Sequence, residues 1–240
     1  MFTLKAGGIG LGKKLSLEDY VYIELKRAIF NRQIPLNTQL NEELLSEAFN
    51  VSRTPIRSVL KRMQHEKIIQ IIPRKGAYIN QPTFQEIENV FQLRILIEKE
   101  AIKIACSEAT DKQLNALIEL TYEEEELFRS GEYADGLRVT SEFHQSLIKL
   151  TKNDLMIEYS QELINITNIY LVFHETAKKE SPRSPEEHRE IVRAIQMRNE
   201  KEALRLFDQH IKSIKDNLNR NKSENTVEFD KIFKPYSKQP

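Results

Sequence analysis

The sequence predicts a mostly α-helical protein in two modules: three helices and a β-hairpin in front, and an all-α six-helix bundle behind. Three observations carry this prediction. Only seven glycines occur in 240 residues, and four of them (Gly7, Gly8, Gly10, Gly12) precede residue 13. The rest of the chain consists of runs of helix formers with apolar residues at helical spacing. Gly76, in Pro73-Arg74-Lys75-Gly76 between two short β-prone stretches, marks the hairpin.

The length fits one large domain or two ordinary ones, and 40% hydrophobic residues suffice for cores. Cys106 stands alone, so no intramolecular disulfide forms, in keeping with a reducing cytoplasm. No apolar run approaches the ~18–20 residues that span a bilayer, and glycines interrupt the N-terminus where a signal peptide needs apolar continuity. The expectation is a soluble cytoplasmic protein with no membrane partner. Segments 1–14 and 222–240 lack apolar periodicity and are expected to be flexible arms. Between them lie a front module at 15–81 and a bundle at 84–221.

In the front module, Leu17–Asn31 carries Val21, Leu25, Ala28 and Ile29 at helical spacing. Asn41 offers a cap for a short helix through Leu44, Leu45 and Ala48. Asn50 and Val51 then turn the chain into a helix at 54–66, with Ile56, Val59, Leu60 and Met63 as its stripe. Thr54 is placed to cap that helix, and Pro55 suits its first position. Arg53 and Arg57 flank the helix start. The β-prone pieces Ile68–Ile72 and Ala77–Ile79 follow, joined by the basic turn. Three helices and a hairpin with a cationic tip form the winged helix-turn-helix plan, in which the second helix of the motif enters a DNA groove. Charge agrees with this plan. Residues 1–81 carry 13 Lys/Arg against 7 Asp/Glu, and the remainder 23 against 29. A basic front and an acidic back suit a protein whose front alone meets a polyanion, although highly charged chains also split this way by chance.

Helical periodicity behind Pro82 gives 84–107, 110–129, 132–151, 153–177, 184–197 and 199–220, broken at Thr110-Asp111, Gly131, Asn153-Asp154 and Pro182–Pro185. The Glu123–Glu126 and Lys178–Glu180 runs read as solvated faces. Polar residues inside apolar stripes stand out. Arg94 lies with Ile87, Phe91, Ile97 and Ala101; His144 with Leu137, Leu147 and Ile148. His188 lies with Ile191, Val192 and Ile195, and His210 with Ala203, Phe207 and Ile214. Neutral imidazole is the commonest protein ligand of divalent metals, so His144, His188 and His210 form a candidate site for Zn²⁺ or Ni²⁺. The same pattern fits three hydrogen-bonded core histidines. His174, one turn after Tyr170, is not tied to them.

Residues 17–80 resemble the DNA-binding domain of GntR-family transcriptional regulators through Leu40-Asn41-Glu42 with Leu44, then Val51-Ser52-Arg53-Thr54-Pro55-Ile56-Arg57, then Pro73-Arg74-Lys75-Gly76-Ala77. The chain departs from the family where glycine is usual, at Asn31, Asn37 and Lys67. Residues 84–220 resemble the FCD effector-binding domain of FadR-like regulators. The carriers are Leu93-Arg94 with Glu98, Glu142-Phe143-His144 with Leu147, Glu187-His188-Arg189, and Ala203 with His210. Six helices are closer to the VanR-type branch than to the acyl-CoA-binding one.

The resemblance implies that Arg53 and Arg57 read bases in the major groove while Ser52 and Thr54 contact phosphates. Arg74, Lys75 and Gly76 would bring the wing to the minor groove. Arginine pairs with guanine O6 and N7 in bidentate fashion, whereas hydroxyl–phosphate contacts set register. Metal-binding members add an aspartate one turn before the first histidine. Here that position is Thr140, and Glu142 points about 160° from His144 on a helix. This leaves a three-histidine site completed by water or effector, a metal-free pocket, or a vestigial site. The resemblance further implies a homodimer on a palindromic double-stranded DNA operator, acting as a repressor under a small organic acid. Arg94, and the Thr140 position beside the metal, would meet that effector, although Arg94 also has Glu98 one turn away as an ion-pair partner. The alternatives are a metal-dependent enzyme and a DNA-binding dimer without an effector.

Overall fold

Helix α1 (Leu17–Phe30) begins where the Ser16 hydroxyl accepts the Asp19 N–H at 3.1 Å. The Asn41 side chain likewise accepts the Glu43 and Leu44 N–H groups, starting α2 (Glu42–Phe49), which ends at left-handed Asn50. The computed structural model describes residues 16–174, 183–216 and 232–233. Helix α3 spans Arg53–His65, one residue earlier than expected. Thr54 is therefore not its cap. Ser52 holds that position without a side-chain bond, and Pro55 is the third helical residue. Proline fits there because the first four N–H groups of a helix have no intrahelical acceptor.

Strands β1 (Ile69–Ile72) and β2 (Gly76–Ile79) pair antiparallel, Ile69 opposite Ile79 and Ile72 opposite Gly76. An added bridge joins Gln39 to Tyr78. Of the positions where the family favours glycine, Asn37 (φ 67°) and Lys67 (φ 58°) are left-handed, whereas beside Asn31 it is Arg32 (φ 57°) that turns. Asparagine tolerates this conformation. Lys67 holds it at a steric cost.

Behind the hairpin come α4 (Phe84–Glu108), α5 (Asp111–Arg129), α6 (Tyr133–Lys149), α7 (Asp154–His174), α8 (Ser184–Gln196) and α9 (Glu200–Asp216). Thr83–Glu86 and Thr110–Gln113 form reciprocal capping boxes for α4 and α5. The expected extensions of α7 to 177 and α9 to 220 fall partly outside the described residues, as does the Lys178–Glu180 run. Two apolar clusters result. Leu25, Ile29, Phe49, Ile56 and Met63 centre the front one, and Phe91, Ile102, Phe143, Val192 and Phe207 the bundle's. Leu137, Ile169 and Val172 of the bundle join the front cluster, and α1 packs on α6. The Ala134 N–H donates to Asn31 Oδ1 at 3.2 Å, and Arg27 approaches Asp135 at 3.6 Å.

The arm at 1–14 lies outside the described residues, as does most of the segment at 222–240. Within the latter, however, Phe233 is buried and stacks on Phe49 at 4.3 Å. That point of the expected flexible tail is anchored, because an aromatic ring gains more by leaving water than its backbone loses by ordering.

Candidate functional site

The start of α3 presents Ser52, Arg53, Thr54 and Arg57 on one exposed surface. Arg57 makes a bidentate pair with Glu42, its Nη2 at 2.8 Å, and Arg53 pairs with Glu43. Arg57 holds the Glu42 carboxyl below the usual carboxylate range. Both pairs are exposed, so they orient the guanidinium groups at little cost to their release. Among the described residues the Ser52 and Thr54 hydroxyls have no partner. At the wing tip, Gln39 Nε2 donates to Lys75 O at 2.7 Å. Gly76 is favoured by its left-handed φ of 103°, and a Cβ there would also displace the Gln39 side-chain amide. Arg74 and Lys75 are exposed and unpaired among the described residues.

Inside the bundle, α6, α8 and α9 bring His144, His188 and His210 together, all buried, with one ligand atom from each within 4.8 Å of the others. Behind every ring stands a carboxylate. His144 Nδ1 lies 2.6 Å from Glu98 Oε2, His188 Nδ1 2.9 Å from Glu124 Oε2, and His210 Nδ1 2.8 Å from Glu187 Oε2. Arg94 Nε donates to Glu98 Oε1 at 2.8 Å, while Arg94 Nη2 is buried with no partner. Thr140 Oγ1 and Ser184 Oγ each lie 2.8 Å from Glu124 Oε1. Thr140 thus sits beside the carboxylate behind His188. Glu142 is exposed and pairs with Arg138 at 3.0 Å, outside the cluster. His174 stacks on Tyr170 and takes no part.

The electrostatics fix the tautomers. Burial pushes the Glu98 carboxyl up, but Arg94 and His144 outweigh it and hold it below the usual range. Burial likewise raises Glu124 and Glu187, and their histidine and hydroxyl partners bring both below normal. Burial drives the His144 imidazole down to about 4, and lowers His210 too. With carboxylates at their Nδ1 atoms, the neutral rings of His144 and His210 carry their proton there and turn their Nε2 lone pairs inward. The Nε2 atoms of His188 and His210 lie only 3.3 Å apart. Each of these rings has a carboxylate at its Nδ1, so both Nε2 atoms can face a single cation. Two nitrogens bound tetrahedrally at ~2.0–2.1 Å from zinc would be about 3.3–3.4 Å apart, so the donor set fits such an ion.

These shifts predict an acid limit. The unfolded chain takes up a proton near the ordinary histidine value of 6.5, whereas folded His144 does so only near 4. Stability of the metal-free protein is therefore full above about pH 6.5 and falls as pH drops toward 4, and the depressed carboxylates act in the same direction. Melting curves between pH 7.5 and 4.5 should show it. A flat profile would contradict the buried neutral ring.

From the sequence, Glu98 is named as the ion-pair partner of Arg94, which it is, and Glu187 within the motif shared with FCD domains. Neither is named as a support for a histidine, and Glu124 is not named. Glu124 corrects the reading of Glu123–Glu126 as a solvated face, because it is wholly buried. Its signal was present: Leu117, Thr121 and Glu124 repeat at helical spacing and all are buried.

Residues 17–79 match the family of bacterial regulatory proteins called gntR, and residues 89–213 match the FCD domain. The chain belongs to the GntR family of transcriptional regulators. The regulator is 26% identical over 211 residues to the transcriptional repressor RspR of Escherichia coli K12, covering 87% of this chain and 92% of that protein. It is 24% identical over 183 residues to the regulator YdhC of Bacillus subtilis 168, covering 76% and 82%. The structure of E. coli McbR/YncC superposes with a TM-score of 0.65 at 17% identity, covering 83% of the regulator and 95% of that chain, which shows a shared fold. The family and these relatives are regulators rather than enzymes, so the reading as a metal-dependent enzyme falls away. Among the described residues no helix is long and apolar enough to cross a membrane.

Proposed function

We propose that the regulator is a cytoplasmic homodimeric repressor in which a divalent metal and a small carboxylate in the bundle control the readers. The observation that carries this reading is the set of three buried histidines, each backed by its own carboxylate, beside an arginine with an unspent donor. His144, His188 and His210 would hold Zn²⁺ or Ni²⁺, and the ion would supply a positive charge for an anion. No aspartate completes the set, because the Thr140 hydroxyl is neutral and lies against Glu124. A position is thereby left to water or to the effector. Arg94 Nη2 offers a second anchor, with Arg94 Nε and His144 on opposite oxygens of Glu98. The name of the repressor RspR supports repression, and six bundle helices among the described residues support the VanR-type branch.

On DNA, Arg53 and Arg57 read bases, Ser52 and Thr54 contact phosphates, and Arg74, Lys75 and Gly76 approach the minor groove. One reader spans few base pairs, so a palindromic operator needs two. The exposed apolar side chains Leu93 and Leu96 on α4 supply a surface for the second copy. Helix α6 carries both His144 and the contacts to α1, which gives an effector a short path to the reader.

Elemental analysis tests the metal. Protein purified without chelator should hold close to one zinc or nickel per chain, and His144→Ala or His188→Ala should lose it while remaining folded. Protein that contains no stoichiometric metal, and gains no thermal stability from added Zn²⁺ or Ni²⁺, would retire this part of the proposal.

A further inference from the structure

A cavity lies away from the histidines, at the joint between reader and bundle. It encloses about 440 Å³, within the range of small-molecule sites. One wall is α1, with Tyr22, Lys26, Arg27 and Phe30; the rest comes from α6 and α7. Helix α6 separates the two sites: His144 faces the histidine centre, while its neighbour Gln145 lines this cavity.

The lining is built for a polar ligand. Gln145, Asn165 and Asn168 are each more than nine-tenths buried, an uncommon placement for amides. Each bonds the protein through only one end. Gln145 Nε2 donates to Ser160 Oγ at 3.2 Å, Asn168 Nδ2 to Ser141 Oγ at 2.6 Å, and Asn165 Oδ1 accepts from Gln161 Nε2 at 3.3 Å. Among the described residues nothing bonds Gln145 Oε1, Asn168 Oδ1 or Asn165 Nδ2. None of these atoms is sealed away, so they open on the cavity. Two acceptors and a donor suit hydroxyl groups, which both give and take hydrogen bonds.

Charge supplies the other half. Four cations border the cavity, Lys26, Arg27, Arg138 and Lys149, against the carboxylates of Asp135 and Glu142. Arg27 and Arg138 are paired with acidic neighbours, and Lys26 lies 3.6 Å from Glu66. Lys149 has no partner among the described residues. We infer that this cavity is a second ligand site, distinct from the histidine centre, which takes a small polyhydroxylated anion and clamps it between the reader and the bundle. A ligand held from both sides would fix the angle of α1 on α6, and by linkage would alter DNA affinity.

Ribose 5-phosphate and ribonate are suitable probes, as phosphate and carboxylate on one polyol. Ribose and inorganic phosphate are the neutral and bare-anion controls. Calorimetry on the full chain should find at least one probe binding tenfold or more tighter than both controls, and the tighter probe identifies the anion. Lys149→Glu on the bundle and Lys26→Gln on the reader should each weaken that probe about tenfold, whereas His144→Ala should leave it unchanged. Lys149 is exposed, and the ligand-free melting temperature checks that each variant is folded. Loss of binding in His144→Ala, no loss in Lys149→Glu or in Lys26→Gln, or two probes no tighter than the controls would each overturn the inference.

Discussion

Replacing Glu98 by alanine should destabilise the regulator by about 3–5 kcal/mol, the usual cost of breaking a buried ion pair from one side. Glu98 is wholly buried between Arg94 and His144, and accepts from both. Its removal strands the Arg94 guanidinium, already one donor short of partners, in an apolar bundle. It also frees the His144 tautomer, so metal affinity should drop by roughly 10–100-fold. Denaturant unfolding without metal measures the first effect, and metal titration the second. The double variant Arg94→Met/Glu98→Met should recover most of the stability, because no charge is left unpaired, but should not recover metal affinity. A single-variant loss under about 1 kcal/mol would mean that the pair is effectively solvated.

Arg53→Ala and Arg57→Ala should each weaken operator binding by about tenfold or more while leaving binding to random DNA nearly unchanged. Neither side chain is buried or needed by the fold, so stability should hold. Ser52→Ala and Thr54→Ala should weaken both kinds of DNA alike, because phosphate contacts carry no sequence information. Binding of operator and random duplexes at one fixed salt concentration separates the outcomes. Equal losses on both duplexes in the arginine variants would remove them from base reading.

Much of this was legible in the chain. Asn41 capped α2 as its chemistry required, and the apolar stripes placed six bundle helices within a few residues. Gly76 marked the wing tip, where a φ of 103° disfavours a Cβ. Pro55 misplaced the start of α3 because proline is tolerated throughout the first turn, so it marks the turn without naming its first residue. Glu124 was hidden in a run of four glutamates, where composition argues for solvent and only phase along the helix argues for burial. Phe233 was missed although its signal was present: Phe229, Ile232, Phe233 and Tyr236 recur at helical spacing in that segment.

Caps, stripes and turns depend on residues within a few positions of one another, and their chemistry is written locally. From that local record came the two modules, the arginines at the reading helix and the three core histidines. The carboxylates behind those histidines arrive from 46, 64 and 23 residues away. The cavity at the joint exists only because α1 packs on α6. Which buried charge meets which ring, and which amides share a cavity, depends on how helices pack across the whole bundle. Periodicity assigns a residue to the core, but packing alone chooses its neighbour there.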